Sequence, residues 1–516
     1  MSATGAHAPA QRTGAAKLLA RWWPLLALTA LAAALRLSTL DLQSLWYDEA
    51  FTPVHVLHGS LWATLRGVSH SENSPPLWYL LEWADTRVLG TGAVALRLPS
   101  ALAGIATVPV AWAIGEQLAG RRAALMSAAI VAVNPLFVWY SQEARVYGLF
   151  VLTIAIAMLC FLRAERLPPS DPASRRRLAA FALSGSVALL THYFAVFLLI
   201  PMVLWLARDR ARRRAALPAI AALVIVGAAL LPLIAAQGGH GTQWIGRWPL
   251  SERLQAIPQY YLTGYSGAPL GHGVELLVAL LIGAGVGFGL WRMSDPSPSV
   301  PPALAAARAR ERRGALLALS IAAIGVLMPI VLVLFGADYL APRNLVAAMI
   351  PLTAAVAVLT VTPAAGRTGA AIAVAIVLAM LAITIDVNLS PRLQRGNWRG
   401  VARALADAPA AHVVTSVELG SAPLEYYVPG LHNLARGASV RVSEIDETGY
   451  APLRRSAGQP PAPGFHLLAR LNVDGLIVYR FRSASPRTVT ESGLRRHVIT
   501  RARPEVLVPG ASRASS

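Results

Sequence analysis

Apolar runs long enough to cross about 30 Å of hydrocarbon, which takes about 20 helical residues, recur along this chain from Leu18 to Asp386. With 55% hydrophobic and only 14% charged residues, no soluble domain could hide so much apolar surface. The fold class is therefore a polytopic α-helical membrane protein. The runs lie near residues 18–38, 97–117, 123–139, 146–162, 178–191, 193–207, 215–236, 273–291, 314–335, 344–361 and 369–387, about eleven crossings. The first of them resembles a signal peptide around Leu31 to Ala34, but its length and the runs that follow make it an uncleaved anchor.

Arginine sets the orientation, because cytoplasmic loops hold an excess of Lys and Arg. Arg12, Lys17 and Arg21 place the N-terminus inside, and Arg121-Arg122, Arg175 to Arg177, Arg208 to Arg214, Arg308 to Arg313 and Arg367 fall on the same side. The net charge of +20 is thus mostly a topology signal. Nucleic acid is excluded as a partner, since the basic clusters are separated by spans and form no contiguous soluble face. The segment Pro75 to Gly90 tests the parity. It is too short to span, at about 21 Å, and is interrupted by Glu82, Asp85 and Arg87, so it lies along the outer surface.

Residues 1–16 are expected to be a disordered cytoplasmic N-terminus, residues 17–390 the transmembrane domain, residues 391–503 an extracytoplasmic α/β domain and residues 504–516 a flexible tail; the Ser294 to Pro302 loop is also expected to be disordered. Beyond Pro391, Asn397 can cap a short helix with Trp398, Val401 and Leu405 on one face. Strand-like runs follow at residues 412–419, 466–471 and 475–481. Cys160, the single cysteine, excludes an intramolecular disulfide and a thiolate metal cluster. The absence of GxGxxG, GKS/T and HExxH strings removes support for a soluble nucleotide-using enzyme or zinc protease.

The chemistry is expected on the outer face. Leu45-Trp46-Tyr47-Asp48-Glu49-Ala50-Phe51-Thr52 sets two adjacent carboxylates among aromatics where the chain leaves the bilayer, an arrangement that is costly unless the charges are solvated or paired. Arginines against the inside rule are informative too: Arg66, Arg97, Arg145, Arg247, Arg253 and Arg343. Their forks suit phosphate, whereas the bland alternative is local pairing, Arg145 with Glu143 and Arg343 with Asp338, or snorkelling. His70, Glu72 and His192 lack metal-ligand spacing and read as hydrogen-bonding groups. Trp244 and Trp248 can stack on sugars or anchor at the interface.

Several strings carry a resemblance: the Leu45 to Thr52 loop, Asn73-Ser74-Pro75-Pro76-Leu77-Trp78-Tyr79-Leu80-Leu81, Ala95-Leu96-Arg97-Leu98-Pro99-Ser100-Ala101-Leu102, Trp139-Tyr140-Ser141-Gln142-Glu143-Ala144-Arg145, and Pro342-Arg343-Asn344-Leu345. In this order, over roughly residues 18–400, the chain resembles the GT-C glycosyltransferases of the protein O-mannosyltransferase and lipid A aminoarabinose transferase superfamily. The resemblance implies a GT-C fold and transfer of a sugar from a polyprenyl-phosphate donor to a hydroxyl of an acceptor glycan, glycolipid or protein on the outer side of the cytoplasmic membrane. It places Asp48 as the catalytic carboxylate, with Glu49 and Glu143 as further acidic candidates. Arg145, Arg343 and Arg97 would meet the donor phosphate, and Tyr47, His70, Glu72, Asn73, Tyr140, Gln142 and His192 would line the substrate. Relatives often place Lys or His before Pro-Pro where this chain has Ser74, so the phosphate contact there falls to His70 or an arginine. No cofactor and no metal are expected. The competing reading from another class is a lipid or sugar transporter, whose sites usually lie near the bilayer midplane in two related halves.

Overall fold

The computed structural model describes residues 14–240, 242–265, 271–294, 301–406, 408, 412–416, 419–500 and 503–510. Residues 1–13, 295–300 and 511–516, all in segments expected to be disordered or flexible, lie outside the described residues. Among the described residues, seven helices are long and apolar enough to cross a membrane, or eight if one bent pair counts as a span. The first helix, Gly14–Leu37, and the pair Pro172–Thr191 and Ala195–Leu206 fall outside that number, so the count of eleven is not reached on this measure. They still belong to one bundle, because Ala32, Leu178, Phe181 and Leu198 share its continuous buried core.

The bent pair, Arg121–Val133 and Pro135–Ser141, turns by 57°. Its cause is local. Pro135 has no N–H to offer, and Asn134 accepts from the N–H groups of Leu136 and Phe137, capping a new helix where the old one ends. The carbonyls left open at the break are taken from outside. The Arg36 guanidinium donates to Val131 and Ala132 at 3.0 and 2.9 Å, and the Thr384 hydroxyl donates to Val133 at 2.7 Å. Arg36 also reaches the Ser141 hydroxyl at 3.1 Å, across Gly104, where a β-carbon would collide with both side chains.

The charges separate to the two ends of the bundle. Helix Tyr147–Glu165 ends at Glu165, which accepts from Arg208 and Arg313, while Arg121 donates to the Arg21 carbonyl nearby in the basic set. The same helix begins about 28 Å away beside Asp48, Glu143 and Arg343. At that second end the first loop forms short helices Tyr47–Phe51, Leu61–Ser71 and Leu77–Leu89. The last of these has 13 residues and stops at Gly90, whose φ of 80° favours glycine.

The C-terminal unit is a six-stranded sheet: β1 (His412–Ser416), β2 (Leu431–Asn433), β3 (Ser439–Tyr450), β4 (His466–Val473), β5 (Leu476–Thr490) and β6 (Glu505–Pro509), in the order β2-β6-β1-β3-β5-β4. The β1–β3 pair is parallel and the others antiparallel. Two expectations are corrected here. Residues 505–509 are not part of a flexible tail, because Val506 and Leu507 are buried between β2 and β1. β3 escapes the sequence pattern because Glu444, Asp446 and Glu447 interrupt it, yet all three are buried against Arg480, Arg482 and His497. Helix Trp398–Ala406 is capped by Asn397, which accepts from Gly400 N–H at 2.8 Å.

This unit is seated on the bundle end that carries Asp48. The Tyr427 hydroxyl accepts from Leu45 N–H, Tyr426 donates to the Thr91 carbonyl, and Arg399 pairs with Asp41 at 2.6 Å. Replacing Arg36 by Met keeps its length but orphans the Val131 and Ala132 carbonyls at about 1–3 kcal/mol each. The Arg36→Met protein should therefore melt well below wild type in a thermal scan in lipid, with the broken helix the first segment to exchange its amide hydrogens.

Candidate active site

Helix Tyr47–Phe51 gives the adjacent carboxylates opposite fates, since neighbours on a helix point about 100° apart. Glu49 turns inward and is fully buried. Its two oxygens accept from Arg97 Nε and Nη2, both at 2.7 Å, and it also accepts from Ala144 N–H at 2.9 Å. Arg97 spends its remaining donors on the carbonyls of Leu40, Gln43 and Ser44. Burial alone would raise the Glu49 carboxyl, but Arg97 and Arg395 hold it below the usual carboxylate range. This corrects two expectations: Glu49 has no free face for catalysis, and Arg97 has no donor left for a phosphate.

Asp48 turns the other way. One oxygen, Oδ2, accepts from Arg343 Nη1 at 2.7 Å, its side chain is 17% exposed, and Oδ1 takes no hydrogen bond among the described residues. The Arg343 guanidinium lies 5.0 Å from the Trp244 ring centre, 5.9 Å from Tyr147 and 6.0 Å from Trp46, an aromatic box around a cation. Arg145 forms a forked pair with Glu72, both contacts 3.2 Å, and bonds the Thr52 hydroxyl at 3.1 Å and the Asp48 carbonyl at 3.4 Å.

Glu143 is buried and accepts from Arg395 at 2.9 Å through Oε2, while Oε1 has no hydrogen-bond partner among the described residues. Burial pushes its carboxyl up to about 7. Arg395 is itself buried, with its guanidinium 4.1 Å from the Trp139 ring centre. The local pairings weighed from the sequence are thus exchanged for long-range ones. Arg145 takes Glu72, Arg343 takes Asp48, Glu143 takes Arg395, and Asp338 takes Arg253 at 2.6 Å. Arg395 was missed because it follows the last span, outside the set of membrane-flanking arginines. The buried Glu143 was the signal that could have found it, since such a carboxylate needs a cation.

The remaining candidates divide. Tyr140 is buried with its ring 4.8 Å from Tyr147 and its hydroxyl unbonded among the described residues. His192 is buried, stacked on Phe150 at 4.4 Å, and caps the next helix by accepting from Phe194 N–H; burial pushes it down to about 3, which leaves it neutral. Gln142 is corrected to a structural role, because its amide donates to the Leu35 and Arg36 carbonyls and to Thr39 at the end of the first helix. His70 is exposed and bonded to the Arg66 carbonyl of its own helix, and Tyr47 packs with Leu45, Ala50 and Tyr427 at the domain junction. Asn73 is half-buried beside Glu72. Among the described residues, no group of three or more His, Cys, Asp or Glu is placed to hold a metal ion.

The model of the dolichyl-phosphate-mannose-protein mannosyltransferase family matches residues 73–235. No curated protein matches the sequence. Among solved structures the chain is similar to ArnT from Cupriavidus metallidurans in the apo state, at a TM-score of 0.53 and 14% identity over 89% of this chain and 98% of that one. The Archaeoglobus fulgidus oligosaccharyltransferase in the apo form aligns at 0.48 and 12% over 76% and 59%. The S. cerevisiae Pmt1-Pmt2 protein O-mannosyltransferase complex aligns at 0.35 and 21% over 42% and 33%. The fold assignment rests on the first of these, and it is the GT-C fold.

Asp48 and Glu49 should separate by experiment. Arg97→Met strands a buried carboxylate at about 3–5 kcal/mol, so little folded protein should survive solubilisation. Asp48→Asn, at a partly exposed position, should retain wild-type melting within a few degrees in the same scan.

Proposed function

We propose, from the premise that the chain is a member of the GT-C glycosyltransferase superfamily, that it moves a monosaccharide from a polyprenyl-phosphate donor to an acceptor hydroxyl. The observation that carries this reading is the Asp48–Arg343 pair at one end of the bundle. It sets a proton acceptor, bonded through Oδ2 at 2.7 Å to a cation whose fork is only partly used, with Oδ1 left free among the described residues. The carboxylate–arginine pairs of the outer loops gather at that end, away from the midplane where transporter sites usually lie.

In this reading the acceptor oxygen attacks the anomeric carbon as its proton passes to Asp48, and the carbon–oxygen bond to the lipid phosphate breaks with its electron pair on that phosphate. Attack opposite the leaving group inverts the configuration. A positioned carboxylate contributes about 10²- to 10⁴-fold by taking the proton. Arg343 meets the charge that develops on the departing phosphate, in an aromatic surround where such a contact is worth more than in water. Arg145, oriented by Glu72, holds the Asp48 backbone and is the second cation of the site. Glu143 and Arg395 form a second, buried pair nearby, with the Arg395 guanidinium over the Trp139 ring.

The donor sugar is a hexose or pentose, and the acceptor an envelope glycan, glycolipid or protein. The protein is assigned to the cytoplasmic membrane with the N-terminus inside. The gathering of Arg21, Arg121, Arg208 and Arg313 at the end opposite the sheet domain supports placing that domain outside. Because a monophosphate leaving group is met by arginines, turnover is assigned as independent of divalent metal.

Purified protein in lipid, given a panel of polyprenyl-phosphate sugars, should transfer label from one of them, and Asp48→Asn should lower the rate by about 10²-fold or more while donor binding persists. Equal rates would remove Asp48 from the mechanism. Chelation with EDTA should leave the wild-type rate unchanged. As pH falls through about 7, Glu143 takes up a proton and Arg395 keeps only the more distant Glu49, at 3.8 Å, as an anionic partner. Transfer should decline on that acid limb, and the Glu143→Gln protein should lack the limb.

A further inference from the structure

The turn after helix Leu250–Thr263 brings one more side chain to the candidate site. Gly264 ends that helix, its N–H donating to the Tyr260 carbonyl, at a φ of 86° that favours glycine. It lies against the break between helices Arg121–Val133 and Pro135–Ser141. A β-carbon at 264 would stand 3.1 Å from the Pro135 side chain and 3.3 Å from its carbonyl carbon. The absence of a side chain thus lets the outer loop come close to the broken helix. The next residue, Tyr265, stacks on Trp139 of the half-helix, with ring centres 5.2 Å apart and planes 18° from parallel, and Tyr260 meets it edge-on at 5.3 Å.

The ring of Tyr265 is held by these contacts, and its hydroxyl is not. The residue is 39% exposed, and the phenol makes no hydrogen bond among the described residues. Both acid–arginine pairs of the site nevertheless act on it, Arg343 and Asp48 from one, Glu143 and Arg395 from the other. Partial burial holds the phenol above its usual range, with Arg343 drawing it back, so it keeps its proton at neutral pH and can donate.

Packing on Trp139 would be served as well by phenylalanine, so the hydroxyl needs a separate account. Two other unbonded groups, Glu143 Oε1 and the Tyr140 hydroxyl, are buried, whereas Tyr265 is open to a bound molecule. In the transferase reading, Asp48 takes the acceptor's proton and Arg343 meets the lipid phosphate. The transferred sugar lies beside both, and its ring hydroxyls need partners once they leave water. We propose that Tyr265 reads that sugar: its hydroxyl donates to one non-anomeric ring hydroxyl of the donor and so selects donors that carry it. The inference rests on the transferase reading, from which it takes its ligand.

The test is a double-mutant cycle between protein and sugar. Wild type and Tyr265→Phe in lipid nanodiscs are given the most active polyprenyl-phosphate sugar of the panel, or the tightest-bound one if none is transferred, together with its monodeoxy analogues and polyprenyl phosphate without sugar. Affinity is read by competition with a labelled donor, and transfer as kcat/KM. In wild type, loss of one particular hydroxyl should cost about tenfold in both. Tyr265→Phe should lose about tenfold with the complete donor and less than about threefold more with that analogue, while binding bare polyprenyl phosphate as wild type does. Its melting curve should match wild type, since the stack on Trp139 is kept. An equal deoxy penalty in both proteins at every position, or none at any position in wild type, would overturn the proposal and leave the transferase standing. Equal weakening of bare polyprenyl phosphate and of the sugar donor would overturn it by moving the contact to the phosphate. Donor binding without transfer would sink the transferase reading instead, and the cycle in affinity would still decide the role of Tyr265. Wild type that binds no sugar donor would end both.

Discussion

The buried pair of Glu49 with Arg97 is the constraint around which the rest is arranged. A carboxylate with no exposure is tolerated only when cations and N–H groups fill its lone pairs, and Glu49 has Arg97 on both oxygens and Ala144 N–H besides. Arg97 extends the same lock to the carbonyls of Leu40, Gln43 and Ser44. The end of the first span, the first outer loop and the turn before helix Tyr147–Glu165 are thereby fixed to one another. Asp48 faces Arg343 because its neighbour is held the other way. A lysine could not replace Arg97, since it lacks the planar fork that serves a carboxylate and several carbonyls at once.

The broken helix is a second fixture of the same kind. Helix Arg121–Val133 ends where Pro135 cannot donate, and its open carbonyls would be intolerable in hydrocarbon without Arg36 and Thr384. The short half that follows then presents Trp139, Tyr140 and Glu143 at the bundle end. Arg395, from the connection to the sheet domain, closes on Glu143 and Trp139. The sheet domain is thus tied into the site by a charge it contributes, as well as lying over it.

Much of the architecture is legible in the chain. Span-length apolar runs dictate a helical bundle, and the basic clusters foretell which residues share its far end, as Arg21, Arg121, Arg208 and Arg313 do. Asp48 and Arg343 stand out as charges at membrane boundaries, where an unpaired charge is expensive. The strand β3 was hidden because period-two alternation assumes one polar face in water, whereas Glu444 and Asp446 are buried on one face against Arg480 and Glu447 on the other against His497. Residues 505–509 were hidden because a short terminal run gains its meaning only from the strands beside it.

The sequence by itself determined the class of fold, the crowding of charge at membrane boundaries and the identity of the acidic and basic groups available. Those follow from local chemistry, since hydrophobicity, charge and helix caps act over a few residues. Only the tertiary structure decided which charges pair. Arg145 lies two residues from Glu143 yet takes Glu72, and Arg343 lies five from Asp338 yet takes Asp48. Pairing within a low-dielectric interior is set by the geometry of whole helices, so partners 73 and 295 positions apart win over those next door.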